Sequence, residues 1–271
     1  NKKSTRKSAS KPSVVVHNGD FHPDDITAVA ILFLHLNMPI KIIRSRDPKV
    51  WAKAKYVFDV GGEYKPKKNK FDHHQKDFNL KRENGIAYSS AGLVWKHFGR
   101  KISSSDEVWQ KIDKKILQPL DAEDSGMELC EKSIKNLEEY TFTDYLYSLN
   151  NTWRERGRSS HRAFIQAVND AKKMLAREIK KAQDNLLGEK KVINFYKKTA
   201  DKRIVVLDNN YSWKKILSCY KEPIFAIYTN FDKTLQVKLL DLFPSYGNIL
   251  TTFESNSKVK QQLNELKGKP S

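Results

Sequence analysis

The stretch VVVHNGDFHPDD, residues 14–25, decides the fold expected of this chain. Its opening run, Val14-Val15-Val16, is β-branched and typical of a buried strand. Histidines and aspartates follow at once, and the apolar segment Ile26–Leu36 then predicts a helix. Open α/β sheets carry their ligand sites between the carboxyl end of a strand and the next helix. The stretch therefore predicts an α/β fold with a site at this strand end.

Two later segments repeat this arrangement of a short apolar strand followed by polar side chains. Tyr56-Val57-Phe58 precedes Asp59, and Phe71 precedes Asp72-His73-His74. Between the first strand and these segments, Ile40–Arg44 predicts another strand. Strands that alternate with helices predict a doubly wound, mostly parallel sheet with right-handed crossovers. Three polar strand ends in one sheet are hard to explain as surface decoration.

The rest of the chain predicts helices and then a smaller α+β domain. Apolar residues at helical spacing fall in Ser89–Gly99, Glu107–Leu120 and His161–Leu187, and Gly188 is expected to end the last helix. We expect a polar connection at 64–70 and an aromatic turn at 140–151. Strands are predicted at 203–207, 224–229 and 234–240, with a hairpin turn at 230–233.

These patterns predict two domains between two tails. The expected ranges are a disordered basic tail at 1–13, a site-bearing domain at 14–190, an α+β domain at 191–255 and a polar tail at 256–271.

The charge of the chain favours a polyanionic partner. Its 271 residues carry a formal net charge of +18, which favours nucleic acid by counterion release, with an anionic membrane or plain solubility as alternatives. No apolar run reaches the ~20 residues that a membrane helix needs. The two cysteines, Cys130 and Cys219, form no CxxC pair and argue against a disulfide scaffold or a structural zinc site.

The polar strand ends supply ligands for divalent metals. Imidazoles and carboxylates without thiolates favour Mn²⁺, Mg²⁺, Zn²⁺ or Fe²⁺. The candidates are His17, His22, Asp24, Asp59, His73, His74, Asp121 and Asp124. Eight ligands suit two metals, which in such sites lie about 3.5–4 Å apart and share a carboxylate. Asp59, at a central strand end beside glycines, is suited to that bridging position.

Three longer motifs carry a resemblance to a known family. HNGDFHPDD at 17–25, FDVGGEYKPKKNKFDHHQKDF at 58–78 and SSAGLVWKHFG at 89–99 resemble the melanocyte proliferating gene (MYG-type) exonuclease family of the DHH phosphoesterase superfamily. SRDP at 45–48, DAEDSG at 121–126 and LNNTW at 149–153 fit the same family in order. The similarity covers about residues 14–240.

The resemblance implies a DHH-type catalytic domain that holds two divalent ions, Mn²⁺ or Mg²⁺, and a substrate cap in the α+β domain. Carried over by position, one ion is bound by His17, His22 and Asp59. The other ion is bound by Asp24, Asp59, His73 and Asp121. His74 then faces the substrate phosphate, where it stabilises charge or protonates the leaving oxygen, and Asp72 orients a neighbouring histidine.

The implied activity is 3′-to-5′ exonuclease action on single-stranded RNA or short oligonucleotides, in the nucleus or mitochondrion, with the cytoplasm as an alternative and no obligate protein partner. Arg46 is expected either to meet a phosphate or to pair with Asp47. Trp153 is interpreted as a core residue in preference to a base-stacking platform.

The chain also departs from the family pattern, which keeps two other functions open. Asp25 stands where the family has glutamate, Asn151 where it has proline, and nothing after Phe253 matches the segment FVHxxGFxGG that the family would close over its substrate. A smaller cap favours a small-molecule phosphoesterase or pyrophosphatase. A third hypothesis is an RNA-binding protein that keeps the fold without catalysis.

Overall fold

A computed structural model describes residues 11–240, except 131–133, 135–136, 138, 156 and 230–234. The chain divides into two compact units, Asn1–Ala182 and Gln183–Ser271. The expected hairpin turn at 230–233, the tail at 256–271 and most of the basic tail at 1–13 lie outside the described residues. So does the end of the expected cap domain, from residue 241.

The first unit is built on a five-stranded sheet in the order β2-β1-β3-β5-β4. Its strands are β1 (Ser13–Val16), β2 (Lys41–Arg44), β3 (Tyr56–Phe58), β4 (Tyr64–Lys65) and β5 (Lys70–Phe71). All neighbours pair in parallel except β4, which runs antiparallel to β5 at the edge. The expected α/β fold with a mostly parallel sheet is therefore confirmed.

Helices pack against this sheet. They are α1 (Pro23–Leu36), α2 (Pro48–Trp51), α3 (Ser90–Ile102), α4 (Asp106–Ile112), α5 (Gln118–Asp124), α6 (Phe142–Ser148) and α7 (Ser160–Lys198). The fully buried Trp95 of α3 and Phe58 and Phe71 of the sheet belong to the core. From Ile26 to Leu32 α1 is buried on every side, which explains its continuous apolar sequence.

Two segments differ from the expected local structure. The single helix expected over 107–120 is interrupted by a π-helical turn, Asp113–Leu117, which joins α4 to α5. Pro119 lies in the first turn of α5 and lacks a backbone N–H, so the regular hydrogen-bond ladder cannot pass through it. The aromatic turn expected at 140–151 contains α6, because Thr141 and Asp144 form a capping box.

The second unit is a small α+β structure, as the sequence predicts. Strand β6 (Ile204–Val206) pairs in parallel with β7 (Phe225–Thr229), which pairs antiparallel with β8 (Leu235–Leu239). The short helix α8 (Lys214–Leu217) precedes β7. Trp213, Val205 and Ala226 are buried in its core together with Val192 and Tyr196 of α7.

Helix α7 is longer than the sequence predicts and contributes to both units. Gly188 does not end it. This glycine lies against Tyr211, whose Cδ1 would be 3.2 Å from an added Cβ, so close packing accounts for the small residue. The boundary between the two compact units falls inside this helix, after Ala182. Among the described residues, no helix has the length and hydrophobicity needed to cross a membrane.

Gly92 tests how tightly α3 packs on α5. A Cβ at this position would overlap the carboxylate of Asp121. We expect Gly92→Ala to lower the free energy of unfolding by about 1–3 kcal/mol, because a well-packed interior does not accept an extra carbon without strain. Urea titration followed by circular dichroism measures the loss. Lys96→Ala, at an exposed position of the same helix, is the control, and an equal effect of both changes would contradict the packing argument.

Candidate metal centre

His17 is the first residue after β1, and its ring faces two buried carboxylates. Its Nδ1 lies 3.1 Å from the carbonyl oxygen of Asn18, to which it can donate. Its Nε2 lies 3.1 Å from Asp25 Oδ2 and 3.3 Å from Asp59 Oδ2. His22 is the N-cap of α1, and its backbone N–H donates to Asp25 Oδ1 at 3.1 Å. The end of β1 and the start of α1 thus bring His17 and His22 close to the carboxylates of Asp25 and Asp59.

Asp59 lies between the histidines of two different strand ends. It directly follows β3 and adopts a left-handed backbone conformation with φ 52°. Its Oδ1 accepts a hydrogen bond from Ser90 Oγ at 3.0 Å and lies 3.3 Å from His73 Nε2. Its Oδ2 faces His17 and has no hydrogen-bond partner among the described residues. The two oxygens of one carboxylate therefore point to the two sides of the cluster.

His73 joins this carboxylate to two further acids. Its Nε2 lies 3.8 Å from Asp24 Oδ2 and 3.6 Å from Asp124 Oδ2. Asp24 is in the first turn of α1, and Asp124 is the last residue of α5. Helices α1 and α5, which are distant in sequence, thus both place an acid beside the histidine that follows β5.

His74 is held by Asp72 at the open side of the cluster. Asp72 Oδ1 lies 2.8 Å from His74 Nδ1, and Asp72 Oδ2 accepts the N–H of Gly62 at 2.6 Å. The hydrogen bond with Asp72 is the main reason that the pKa of His74 is raised, against the effect of burial. His74 has 61% of its side chain exposed, so its ring can reach solvent or substrate.

The described residues form three groups of closely spaced metal-type ligands, two of which share Asp59. In each group the ligand atoms lie within 4.8 Å of one another. The groups are His17, His22 and Asp59; Asp59, His73 and His74; and Asp24, His73 and Asp124.

The electrostatics of the cluster call for added positive charge. Asp24 is almost completely buried, and neither of its oxygens has a hydrogen-bond partner in the described part of the chain. Burial, followed by the charges of Asp59 and Asp124, raises its pKa well above the usual range. Burial likewise raises the pKa of Asp25. Buried carboxylates without partners are costly, and a bound divalent cation would offset that cost.

His17 and Asp59 differ from Asp24 and Asp25, because their surroundings favour the charged form of each side chain. Burial disfavours the charged form of His17, but its contacts with Asp25 and Asp59 outweigh burial and raise its pKa to about 10. Burial also disfavours the charged form of Asp59, but its close contacts with His17 and His73 outweigh burial, so the pKa of Asp59 is strongly lowered. Carboxylate and imidazole donors around an ionised Asp59 fit a divalent metal ion by donor type.

Asp121, predicted as a metal ligand, takes part in a buried ion pair in this structure, and its role as a ligand stays a prediction. Its carboxylate accepts hydrogen bonds from Arg82 Nε at 2.8 Å and from Ser89 Oγ at 2.6 Å. Arg82 also pairs with Asp113 at 2.7 Å. Both oxygens of Asp121 are thus occupied, and the acid of α5 that lies beside His73 is Asp124, three residues later on the same helix.

Two other predictions concern residues outside the cluster. Arg46 is exposed, and no ion pair or hydrogen bond of its side chain is found in the described ranges, so its contact with a phosphate stays a prediction. Trp153 is 79% exposed, which contradicts its interpretation as a core residue. It follows the LNN motif in the connection from α6 to α7, where no apolar neighbour covers enough of the indole to bury it.

Three supporting residues were not found from the sequence. Asn150 pairs with both backbone groups of Phe21, accepting from its N–H at 2.9 Å and donating to its carbonyl at 2.8 Å. Arg44 donates to the carbonyls of His17 and Gly19. The Tyr147 ring lies 6.0 Å from His22, between centroids. These contacts join segments distant in sequence, and local patterns carry no signal for them.

Comparisons with known proteins match most of the chain to one family. A family model named MYG1_exonuc, described as an uncharacterised protein family (UPF0160), matches residues 13–244. The chain is 32% identical to the MYG1 exonuclease of Mus musculus over 178 residues, which are 58% of this chain and 47% of that protein. It is 30% identical to the MYG1 exonuclease of Homo sapiens over 188 residues, or 62% of this chain and 50% of that protein.

A shorter match is found in yeast. The MYG1 protein of Saccharomyces cerevisiae is 38% identical over 128 residues, which are 42% of this chain and 38% of that protein. The chain spans about half the length of the mammalian relatives. No solved structure matches it significantly.

Asp121 and Asp124 are expected to have different roles. Asp124→Asn should weaken Mn²⁺ binding at least about tenfold, since even the loss of a group that only supports a ligand costs that much. Asp121→Asn should mainly lower the free energy of unfolding, because it leaves Arg82 short of a charge partner. Calorimetric Mn²⁺ titration and urea unfolding of both variants separate the two effects. A reversed pattern would restore Asp121 as the ligand.

The buried Arg82 pair is expected to matter far more than a surface pair of the same type. Arg82→Leu should cost about 3–5 kcal/mol of unfolding free energy, because it leaves Asp113 and Asp121 buried without their cation. Arg100→Leu removes the exposed pair with Asp106, at 2.9 Å, and should cost less than about 1 kcal/mol. Chemical unfolding measures both, and similar losses would contradict this account.

Proposed function

The chain belongs to the MYG1_exonuc family (UPF0160), and from that premise we propose that it is a metal-dependent phosphodiesterase. The proposed reaction removes nucleotides from the 3′ end of single-stranded RNA or short oligonucleotides and uses two divalent cations, Mn²⁺ or Mg²⁺. The observation that carries the proposal is Asp59, an ionised buried carboxylate whose two oxygens face His17 on one side and His73 on the other. The names of the mammalian relatives support the exonuclease activity.

The three ligand groups support a division of the proposed centre into two metal sites. His17, His22 and Asp59 would hold one cation, and Asp24, His73 and Asp124 would hold the other, with Asp59 between them. Bound there, divalent cations would lower the pKa of a water molecule to make it a nucleophile and would neutralise phosphate charge. Ser90 fixes the orientation of Asp59 by donating to its Oδ1.

His74 is the proposed proton donor to the leaving oxygen. With Nδ1 held by Asp72 at 2.8 Å, its Nε2 is the nitrogen left to face the substrate. The raised pKa of His74, due first to its hydrogen bond with Asp72, favours the protonated imidazolium. In that form Nε2–H can stabilise charge on a phosphate oxygen or be transferred to the departing alkoxide.

The proposal is tested by incubating 5′-labelled single-stranded RNA, matched DNA and pyrophosphate with the protein, in Mn²⁺ and in EDTA. We expect RNA to shorten stepwise from its 3′ end in Mn²⁺ only. Asp59→Asn and His73→Ala should each lower the rate at least about a hundredfold, because each removes a ligand from the centre that stabilises the transition state. Asp106→Asn, an exposed acid paired with Arg100, is the control and should leave the rate unchanged.

Other outcomes assign the protein to another class. Release of phosphate from pyrophosphate without shortening of RNA would establish a small-molecule phosphoesterase in place of the nuclease. No hydrolysis of any of the substrates, with RNA still bound in EDTA, would show that the fold binds RNA without catalysis. Shortening of RNA that persists in EDTA would exclude the metal-dependent mechanism.

A further inference from the structure

We propose that a surface beside the metal centre, formed by Trp153, Arg154, Arg158, His161 and Arg162, binds the backbone and bases of single-stranded nucleic acid. These residues lie in the connection from α6 to α7 and in the first turn of α7, and we call them the arginine–tryptophan surface. The inference deepens the proposed function, since it names where the rest of the substrate chain lies when a terminal phosphodiester is at the metal centre.

The first observation is the exposure of an indole that a folded protein would ordinarily cover. Trp153 has 79% of its surface accessible, more than any other large hydrophobic residue identified as exposed in the described part of the chain. Arg154 lies over its ring, with Cζ 4.7 Å from the centroid. Exposed aromatic rings next to arginine are the stacking platforms of proteins that bind single strands, because every unpaired base offers a π-face.

The second observation is the charge around this ring. The ten residues from 153 to 162, WRERGRSSHR, contain four arginines and a histidine but a single acid, Glu155. Glu155 pairs with Arg158 at 3.3 Å. Arg162 is exposed, and no ion pair of its side chain is found in the described ranges. The segment therefore keeps a net positive charge that complements a phosphate backbone.

The third observation connects this surface to the metal centre. A cavity of about 540 Å³ is lined by Ser160 and His161 at the start of α7 and by Asn18 and Gly19, which follow His17. Arg44 also lines it, and its guanidinium donates to the carbonyl of Gly19 and to Ser160 Oγ, at 2.6 Å for the latter.

Arg44 adds a positive charge to the wall of this cavity. The hydrogen bonds of its side chain go to neutral oxygens, and the described residues show no carboxylate within ion-pair distance of it, although Asp20 lines the same cavity. A second cavity of about 480 Å³, lined by Arg158, Ser159 and Arg162, adjoins the first along the chain. The segment 158–162 thus lines both cavities, and the loop after His17 lines the first of them.

Binding can be measured without catalysis, which separates this proposal from the proposed function. The full chain in EDTA would be titrated into fluorescein-labelled single-stranded RNA and DNA of two, four and eight nucleotides, with fluorescence anisotropy as the readout. The variants are Trp153→Ala, Trp153→Phe and the double change Arg158→Ala with Arg162→Ala. The matched control, Arg177→Ala with Lys181→Ala, removes the same charge from exposed positions farther along α7.

We expect Trp153→Ala to weaken binding of the eight-nucleotide strand about tenfold, and Trp153→Phe to restore most of it, because a smaller ring still stacks. The Arg158 and Arg162 double variant should weaken binding and reduce the slope of log K against log salt by about 1.4, the value for two phosphates of a single strand. Binding of the dinucleotide should change least. The control should change binding less than about twofold.

The proposal is overturned if Trp153→Ala and the double variant bind like the parent chain, or if the control loses as much affinity as they do. Equal binding of polyglutamate, competing fully with RNA, would also overturn it in favour of an acidic protein partner. If the parent chain hydrolyses nothing but its RNA binding depends on Trp153 and Arg158, the surface stands and the proposed hydrolysis falls. If it cleaves RNA while the variants bind normally, the reverse holds.

Discussion

The main constraint on this structure is that it buries several carboxylates close together with too little positive charge among them to neutralise them. Asp24, Asp25 and Asp59 are each almost fully buried, and imidazoles are their nearest cationic partners. Isolated buried charges are strongly unfavourable, and like charges at this distance add to the cost. The sheet and α1 must therefore supply enough apolar burial to hold in place a cluster that opposes folding whenever no cation neutralises it.

The surrounding hydrogen bonds aim these side chains and leave them unneutralised. Ser90 directs Asp59, the backbone of His22 directs Asp25, and Asp72 directs His74. The buried Asp113–Arg82–Asp121 group has a different role, because Arg82 bonds both carboxylates and so ties the segment before α3 to the π-helical turn and α5. Two kinds of buried acid thus lie next to each other: one satisfied and structural, the other unsatisfied and available to a ligand.

The sequence predicts which cluster residues follow the strands, but it does not predict which helix residues lie beside them. His17, Asp59 and His73 follow β1, β3 and β5, so three apolar runs were enough to bring them together. The sequence did not show which of Asp121 and Asp124 lies beside His73, because both lie on one helix and Arg82, the partner of Asp121, is 39 residues away from it. Gly188 was misread because a close approach to Tyr211 and a helix end favour the same residue. Trp153 was misread because its type predicts burial.

At position 59 the proposed catalysis and the stability of the fold favour different residues, because the backbone there is left-handed. A residue with a Cβ pays about 1–2 kcal/mol to adopt this conformation, and glycine pays almost nothing. Glycine there would also remove a buried charge. Selection for stability alone would thus replace the residue that the proposed catalysis requires. Copies of this chain that have lost their catalytic role should drift toward glycine or asparagine at position 59 before their cores decay, and that substitution would mark a pseudoenzyme.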